Sequence, residues 1–196
     1  MRKILLPLVF AAAALVASGS SAQIDPSLDS IGIYFDDDGI VNCDSPGIAG
    51  ELSLNLILTN ISAQAGVHGW ECLIDWTPGI FVLEWNLRGA AVNGRTAPEF
   101  GVGLSTPLPW ASTIIIMDFL VGVYNSNPIE FYILPVSNPS LPGVPSYADG
   151  SNPDLLYPLR QSTGGPDNPV CVINCDCPVP NDATTWGALK SLYRVN

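Results

Sequence analysis

Apolar and polar residues alternate through the middle of the chain with a period of two, which is typical of half-buried β-strands. From Leu52 to Leu58, four leucines occupy every second position and would share one face of a strand. The same alternation, or a short apolar run, predicts further strands at residues 70–76, 81–87, 100–104, 113–123, 129–134 and 170–174. In the second of these segments, the pattern places Phe81, Leu83 and Trp85 together on the core face.

Turn-forming residues separate these segments, at 77–79, 93–94, 106–109 and 125–128. Turns at this spacing, with no helical period between them, predict an all-β fold built as an antiparallel two-sheet sandwich. Residues 138–165 differ, because proline, serine, glycine and asparagine dominate there. We expect a long ordered loop in this segment, with one short extended piece near residues 155–159.

The first 22 residues have the organisation of a secretory signal peptide. Arg2 and Lys3 precede an apolar run over residues 4–16, and small residues then lead to Ala22. The predicted domain organisation is a signal peptide over 1–22, a β-sandwich domain over 23–175 and a tail over 176–196. The apolar run is short for a membrane span, so we expect no membrane span after signal cleavage.

The predicted tail begins with a stiff spacer around Pro178 and Pro180 and continues as a short amphipathic C-terminal helix. Its candidate docking residues are Trp186, Leu189, Lys190, Tyr193 and Arg194. Two interpretations stay open. The tail is either a recognition signal for sorting or surface attachment, or a helix folded back over an open sheet edge.

The composition also shows that the protein is acidic and has few charged residues. The 196 residues carry a net charge of -11, with 13% charged and 47% hydrophobic residues. Nucleic acid is an unsuitable partner for such a surface, because its affinity comes from Lys and Arg neutralising phosphates. The same argument disfavours an anionic membrane surface. Loss of Arg2 and Lys3 with the signal peptide would leave 7 − 2 = 5 basic residues against 18 acidic ones, a charge of -13.

Cysteines in an exported chain are expected to form disulfides. The candidates are Cys43, Cys72, Cys171, Cys175 and Cys177. Cys72 shares a strand face with tryptophans, so it is either a buried thiol or the partner of Cys43. Cys171 is expected to pair with Cys175 or Cys177. The spacing lacks the usual Cys-x2-Cys and a histidine, so metal binding is the less favoured interpretation.

The acidic run Asp36, Asp37 and Asp38 suggests calcium, because crowded carboxylates suit a hard cation. The run lacks the alternating ligand order of an EF-hand, and Asp38-Gly39 is a good hairpin turn, which we favour. We expect no other cofactor. His68, the single histidine, has no nucleophile motif beside it and is predicted to lie in a turn, so no catalytic residues are assigned.

Tryptophans offer a possible sugar-binding surface. Trp70, Trp76 and Trp85 share strand faces with apolar residues and are expected in the core. Trp110 lies in a proline-rich loop and is expected to be exposed, so it could stack on a sugar. The candidate ligand-binding residues are therefore Trp110, with Tyr147 and Asp149 from the 138–165 segment.

Two resemblances arise from these residues. The strand over 54–60, the turn and strand of Ala65 to Trp76, and the Pro78 turn resemble the opening strands of cohesin-like modules of exported bacterial proteins. This implies a cohesin- or immunoglobulin-like sandwich. Cohesins commonly place Asp-Pro in that turn, whereas two residues separate Asp75 from Pro78 here, so dockerin binding is not carried over.

The second resemblance is to an uncharacterised family of exported bacterial β-sandwich proteins. The stretches that carry it are Gly69-Trp70-Glu71-Cys72, Tyr147-Ala148-Asp149-Gly150 and the tail Trp186-Gly187-Ala188-Leu189-Lys190-Ser191-Leu192-Tyr193-Arg194. It implies export and a β fold but no reaction.

The sequence therefore predicts a secreted, non-catalytic adhesion or scaffold module. Its partner would be an extracellular protein or polysaccharide. The alternatives are a carbohydrate-binding module and an extracellular hydrolase.

Overall fold

The computed structural model describes residues 27–48 and 50–175, which form thirteen β-strands and no helix. The strands are β1 Ser30–Tyr34, β2 Cys43–Asp44, β3 Gly50–Thr59, β4 Val67–Trp76, β5 Ile80–Leu87, β6 Ala91–Asn93, β7 Glu99–Leu108, β8 Thr113–Val123, β9 Ile129–Leu134, β10 Ser146–Asp149, β11 Leu156–Pro158, β12 Arg160–Gln161 and β13 Cys171–Ile173. They form two sheets, so the predicted all-β sandwich is confirmed.

Sheet A has the strand order β12-β1-β3-β8-β5. Sheet B is centred on β4, which pairs with β7 along one edge and with β10 and then β9 along the other. Beyond these, β6 pairs with β7, β11 with β10, and β13 joins β9 to β2. Both sheets are mixed, because β12 lies parallel to β1 and β13 parallel to β2. The other strand pairs are antiparallel, as the sequence pattern predicts, and these two short parallel pairs are the departure from it.

The core lies between the sheets and is built from the predicted alternation. Leu54, Leu56 and Leu58 of β3 are fully buried, as are Cys72 and Ile74 of β4. Burying a side chain of this size contributes roughly 1.5–3 kcal/mol. Alternation therefore identified the core face of these two strands correctly.

Trp85 is partly buried and its ring contacts aromatic side chains of both sheets. Its ring centroid lies 4.9 Å from that of Phe119 in sheet A and 5.1 Å from that of Phe100 in sheet B. Edge-to-face and tilted contacts at these distances are favourable for aromatic pairs. The expectation that Trp70, Trp76 and Trp85 belong to the core is met, since all three pack in or against it.

The predicted alternation fails in the first half of β5. The ladder with β8 pairs Val82 with Val121 and Glu84 with Leu120, which leaves Leu83 as an extra residue in a β-bulge. A bulge shifts the facing of the strand by one residue. Phe81 and Leu83 are consequently exposed by 52% and 47%, and Val82 packs against the core in their place.

The segment 138–165 contains more regular structure than its composition suggests. It contributes β10, β11 and β12, where a loop with one extended piece was expected. All four residues of β10 are buried, so this strand has no apolar–polar alternation to reveal it. At the end of the segment, Gln161 donates from Nε2 to the carbonyl of Ile133 at 2.9 Å, which joins sheet A to sheet B.

A disulfide joins Cys43 on β2 to Cys175, just after β13. Of the two alternatives for Cys72, the structure shows the buried thiol and not the bridge to Cys43, and the expected bridge from Cys171 to Cys175 or Cys177 was wrong. Cys72 and Cys171 are buried thiols whose side chains enter the core from β4 and β13. Burial raises the pKa of both thiols well above the usual range, so they stay protonated.

Several predicted features lie outside the described residues: the signal peptide over 1–22, Cys177, and the tail helix with Trp186, Leu189, Lys190, Tyr193 and Arg194. They stay predictions. No helix among residues 27–48 and 50–175 is long and apolar enough to cross a membrane.

Candidate functional site: a groove on the outer face of sheet B

The outer face of sheet B carries a groove that crosses β7, β4, β10 and β11. Two outward-facing rungs of the strand ladder form its floor, on either side of the inward-facing rung of Trp70. In one rung, Gly103 pairs with Gly69, and Gly69 pairs with Ala148. The next rung runs from Gly101 through Glu71 to Ser146.

The groove exists because one of these rungs has almost no side chains. Gly103, Gly69 and Ala148 leave the backbone of the sheet nearly bare across three strands at that rung. Ser140 and Leu156 stand at the sides. The volume of the groove is about 250 Å³. A Cβ atom added at Gly103 would meet nothing within 4 Å, so the space above this residue is open.

Glu71 places a carboxylate on the groove floor, although its side chain is only 8% exposed. Oε1 accepts hydrogen bonds from the Ser140 amide at 2.6 Å and from the Ser146 hydroxyl at 3.0 Å. Oε2 accepts one from the Ser140 hydroxyl at 3.0 Å. Three neutral donors therefore hold the carboxylate and fix the connection between β9 and β10 over the sheet.

A second carboxylate on the same face, that of Glu99, is also held by hydrogen bonds from a single serine. Glu99 accepts from the Ser137 amide at 3.2 Å and from the Ser137 hydroxyl at 3.0 Å. Arg95 pairs with Glu99 at 3.2 Å and donates to the carbonyl of Asn138 at 2.8 Å. The Arg95 side chain crosses Gly101, where a Cβ atom would lie 2.9 Å from its Nε. This end of the floor is thus covered, whereas the Gly103 end is open.

The outer face of sheet A carries a different feature, a pair of exposed aromatic rings. Phe81 and Tyr124 are exposed by 52% and 53%. Their rings are nearly parallel, with an interplanar angle of 10° and centroids 6.3 Å apart. The Phe81 ring lies over Gly122, because a Cβ atom there would approach the ring to 2.5 Å. Exposed apolar surface of this kind is a common mark of a binding region.

The predicted ligand residues do not meet in one open site. Trp110 is 47% exposed, as expected, and its indole N–H donates to the carbonyl of Ile61 at 3.2 Å. Tyr147 points into the core and Asp149 is buried, accepting hydrogen bonds from the Ser151 amide and hydroxyl at 2.7 and 2.6 Å. The side chains of Tyr147 and Asp149 are therefore buried and hydrogen-bonded within the fold. Of the three candidates, Trp110 is the exposed one.

The acidic run 36–38 folds over sheet A. The carboxylate of Asp36 accepts from the amides of Ile40 and Val41 at 3.0 and 3.2 Å, and Asn55 donates to Asp37 Oδ1 at 3.0 Å. The Phe35 amide closes this loop on the Val41 carbonyl, but β1 pairs with β3 and β12, so the expected two-stranded hairpin does not form. In the part of the chain that the structure describes, no group of three or more His, Cys, Asp or Glu side chains is placed to hold a metal ion.

His68 lies inside β4 and not in the expected turn. Its Nδ1 is 3.4 Å from the carbonyl oxygen of Gly150. The ring therefore lies beside the end of β10, in contact with backbone.

The sequence contained a signal for the groove that only the strand register makes readable. Gly101 and Gly103 alternate with buried residues of β7 and so lie on its outer face. The stretches Gly69-Trp70-Glu71-Cys72 and Tyr147-Ala148-Asp149-Gly150, which carry the second resemblance, lie on paired strands and both line the groove.

Comparison with known proteins finds neither a matching protein-family model nor a matching curated protein. Among solved structures, the chain is similar to the sixth cohesin of scaffoldin B from Acetivibrio cellulolyticus, described in complex with a dockerin. The two are 11% identical over 75% of this chain and 98% of that chain, with a TM-score of 0.48. It is also similar to a type II cohesin domain from the cellulosome of the same organism, at 14% identity, 76% and 97% coverage and a TM-score of 0.45.

A third similar structure is the third ScaB cohesin of R. flavefaciens, in complex with a group 1 dockerin, at 10% identity. The similarity covers 68% of this chain and 90% of the R. flavefaciens chain, with a TM-score of 0.44. All three of these structures are cohesin domains, the family named by the first resemblance.

Proposed function

We propose that the protein is an extracellular, non-catalytic protein-binding module that holds its partner on the outer face of sheet B. The observation that carries this proposal is the groove at the rung of Gly103, Gly69 and Ala148, where the space above Gly103 is open. A partner can approach such a floor closely, because no side chain stands between its atoms and the sheet.

The size of the groove favours a protein partner over a free small molecule. Sites for drug-sized ligands enclose roughly 300–1,000 Å³. A volume of about 250 Å³ suits one anchoring side chain. Interfaces between proteins commonly depend on a few such anchors that fill small pockets. The surrounding flat sheet would then supply the rest of the contact area.

The test compares two glycine substitutions of equal size. Gly103→Val fills the open end of the groove, and valine is favoured in strands, so the variant is expected to fold. Gly165→Val is the matched control, because this residue also has open space around its Cβ position but lies outside the groove. Peptides selected from a random display library on the full chain, produced in an exporting host, serve as the probe.

We expect selected peptides to bind the wild type and Gly165→Val equally and to bind Gly103→Val at least tenfold more weakly. The measurement is the dissociation constant by biolayer interferometry, with circular dichroism as the check on folding. Equal binding to all three proteins would contradict the proposal.

A carbohydrate-binding module is the second candidate, and the exposed pair Phe81 and Tyr124 favours it. Parallel, half-exposed rings offer apolar faces on which the C–H face of a sugar can lie. If this candidate holds, the protein is retained on insoluble cellulose or chitin, and the double variant Phe81→Ala, Tyr124→Ala is not. Trp110→Ala tests the site expected from the sequence in the same assay. Absence of wild-type retention on either polysaccharide would remove the candidate for these two sugars.

The predicted tail supports a separate proposal, that residues 186–196 serve sorting or surface attachment. Deleting them should leave export intact and release the protein from the cell surface into the medium. Unchanged localisation together with a lower melting temperature would assign the tail to the fold instead.

A further inference from the structure

The carboxylate of Glu71 is buried and belongs to none of the ion pairs among the described residues, although the Arg95 side chain crosses Gly101, its neighbour on β7. Its hydrogen-bond partners are one amide and two hydroxyl groups, all neutral. Within residues 27–48 and 50–175, the ion pairs are Arg88 with Asp118 and Arg95 with Glu99, and neither includes Glu71. A buried charge is costly unless it is both paired and hydrogen-bonded, and here only hydrogen bonds are present.

The carboxylate also keeps capacity for another donor. An ionised carboxylate offers about four lone-pair sites, of which three are used by Ser140 and Ser146. Because Glu71 lines the groove, the remaining site can be reached from there. A cation entering the groove would therefore complete the coordination of the carboxylate and neutralise its charge.

The walls of the groove suit a long aliphatic stem. Ala148 and Leu156 provide apolar surface on the β10–β11 side, and the glycine floor lets a chain lie flat. Lys and Arg bury their methylene stems along apolar surface while presenting a charged head. The net charge of -11 adds long-range attraction for a basic partner.

We propose that the groove is a receptor for a basic side chain of a partner protein, whose ammonium or guanidinium group binds Glu71. This inference rests on the proposed function and names the chemistry of the residue that anchors the partner. The charged head would bind Glu71 on its Ser146 side, away from the Arg95 side chain that crosses Gly101, and the stem would lie over the rung of Gly103, Gly69 and Ala148.

The test titrates short capped peptides into the ¹⁵N-labelled protein. Acetyl-Gly-Lys-Gly-amide carries the cation, and acetyl-Gly-norleucine-Gly-amide carries the same aliphatic stem without it. The amide signals of Gly69, Gly101 and Gly103 report on the groove and fall in the well-resolved glycine region of the spectrum. We expect the lysine peptide to shift them saturably and the norleucine peptide to bind at least tenfold more weakly.

Two variants separate the charge from the shape of the groove. Glu71→Gln keeps an acceptor and removes the charge, so we expect at least tenfold weaker lysine binding. Gly103→Val leaves Glu71 intact and blocks the groove, so we expect it also to weaken lysine binding at least tenfold. This variant therefore tests the site even if Glu71→Gln fails to fold. Gly165→Val should bind like the wild type.

The outcomes distinguish this inference from the proposed function. Equal shifts with the lysine and norleucine peptides, both lost in Gly103→Val, would overturn the cation site and leave the groove as a protein-binding site. No shift of the groove glycines with either peptide would also overturn the cation site, and the display selection then decides the proposed function independently.

Discussion

The hydroxyl group of Tyr147 donates a hydrogen bond to the carboxylate of Asp29 at 2.5 Å. The same hydroxyl accepts one from the buried amide of Ala63 at 3.2 Å. Asp29 also accepts from the amide and hydroxyl of Ser62, at 2.7 and 2.6 Å. One tyrosine and one aspartate therefore join three parts of the chain: the residue before β1, the β3–β4 connection and β10. Burial and the bond to Asp29 raise the pKa of Tyr147, so the phenol stays protonated as this arrangement requires.

Removing this hydroxyl should destabilise the fold. Tyr147→Phe leaves the buried Ala63 amide without its acceptor, which costs about 1–3 kcal/mol of unfolding free energy. Tyr157→Phe is the matched control, because Tyr157 stacks on Tyr147 with ring centroids 5.2 Å apart but is partly exposed. Urea unfolding measures the unfolding free energy of both variants. Equal, small effects of the two substitutions would show that the hydroxyl of Tyr147 does not hold the three segments together.

The bonding of Asp29 to Ser62 recurs at three other places. A single serine donates both its amide and its hydroxyl to one carboxylate in each of four pairs: Asp29 with Ser62, Glu71 with Ser140, Glu99 with Ser137, and Asp149 with Ser151. With 18 acidic and 7 basic residues, the chain has too few cations to pair each carboxylate. Serine donors take that role and tie loop backbone to the sheets.

Acid should weaken the fold through such a pair. Hydrogen bonds from Ser151, with a further one from the Asn152 amide, lower the pKa of Asp149 in the folded state. The unfolded carboxyl titrates near 3.9, so its contribution to stability is complete above about pH 4 and is lost as the pH falls towards the lower folded pKa.

The check is urea unfolding between about pH 2.5 and 6. Asp149→Asn should show a smaller loss of unfolding free energy on acidification than the wild type. Asp154→Asn makes the same change of net charge at an exposed residue and serves as the control. Parallel profiles for the wild type and Asp149→Asn would contradict the prediction.

The bulge in β5 gives a test that separates the structure from the sequence pattern. In the structure Leu83 is exposed and Val82 packs against the core, whereas alternation predicts the reverse. Leu83→Thr should therefore change the unfolding free energy by no more than about 0.5 kcal/mol. Val82→Ala should cost about 1–2 kcal/mol. A larger loss from Leu83→Thr would place Leu83 in the core and remove the bulge.

The disulfide predicts a defined peptide map. Digestion without reduction should yield one linked pair, Cys43 with Cys175, while Cys72 and Cys171 react with iodoacetamide only after unfolding. The double variant Cys43→Ser, Cys175→Ser should lose about 2–5 kcal/mol of stability, because the bridge closes most of the chain into one loop. A link from Cys171 to Cys175 would contradict this connectivity.

Local pattern was sufficient for some parts of the fold and not for others. Strand β3 was predictable because alternate leucines face the core directly. Strand β10 was not, because Ser146 is buried by hydrogen bonding to Glu71 on one face and Tyr147 by packing on the other. Both burials depend on strands distant in sequence, so no window around β10 contains them.

The candidate site was hidden for a related reason. The outward facing of Gly101 and Gly103 can be read from β7 alone, but a groove requires that Gly69 and Ala148 fall on the same rung. That register is set by pairing between β4, β7 and β10. The pairing of Cys43 with Cys175 was likewise unpredictable, because it follows from the parallel contact of β2 with β13.

The most direct test of the protein-binding groove is cross-saturation NMR between an unlabelled selected peptide and the perdeuterated, ¹⁵N-labelled protein. It identifies which amides of the protein contact the peptide. We predict the largest saturation at Gly69, Gly101, Gly103 and Ala148, with none at the Phe81–Tyr124 face. Saturation confined to Phe81, Gly122 and Tyr124, with the groove amides unaffected, would show that the partner binds sheet A and would contradict the proposed function.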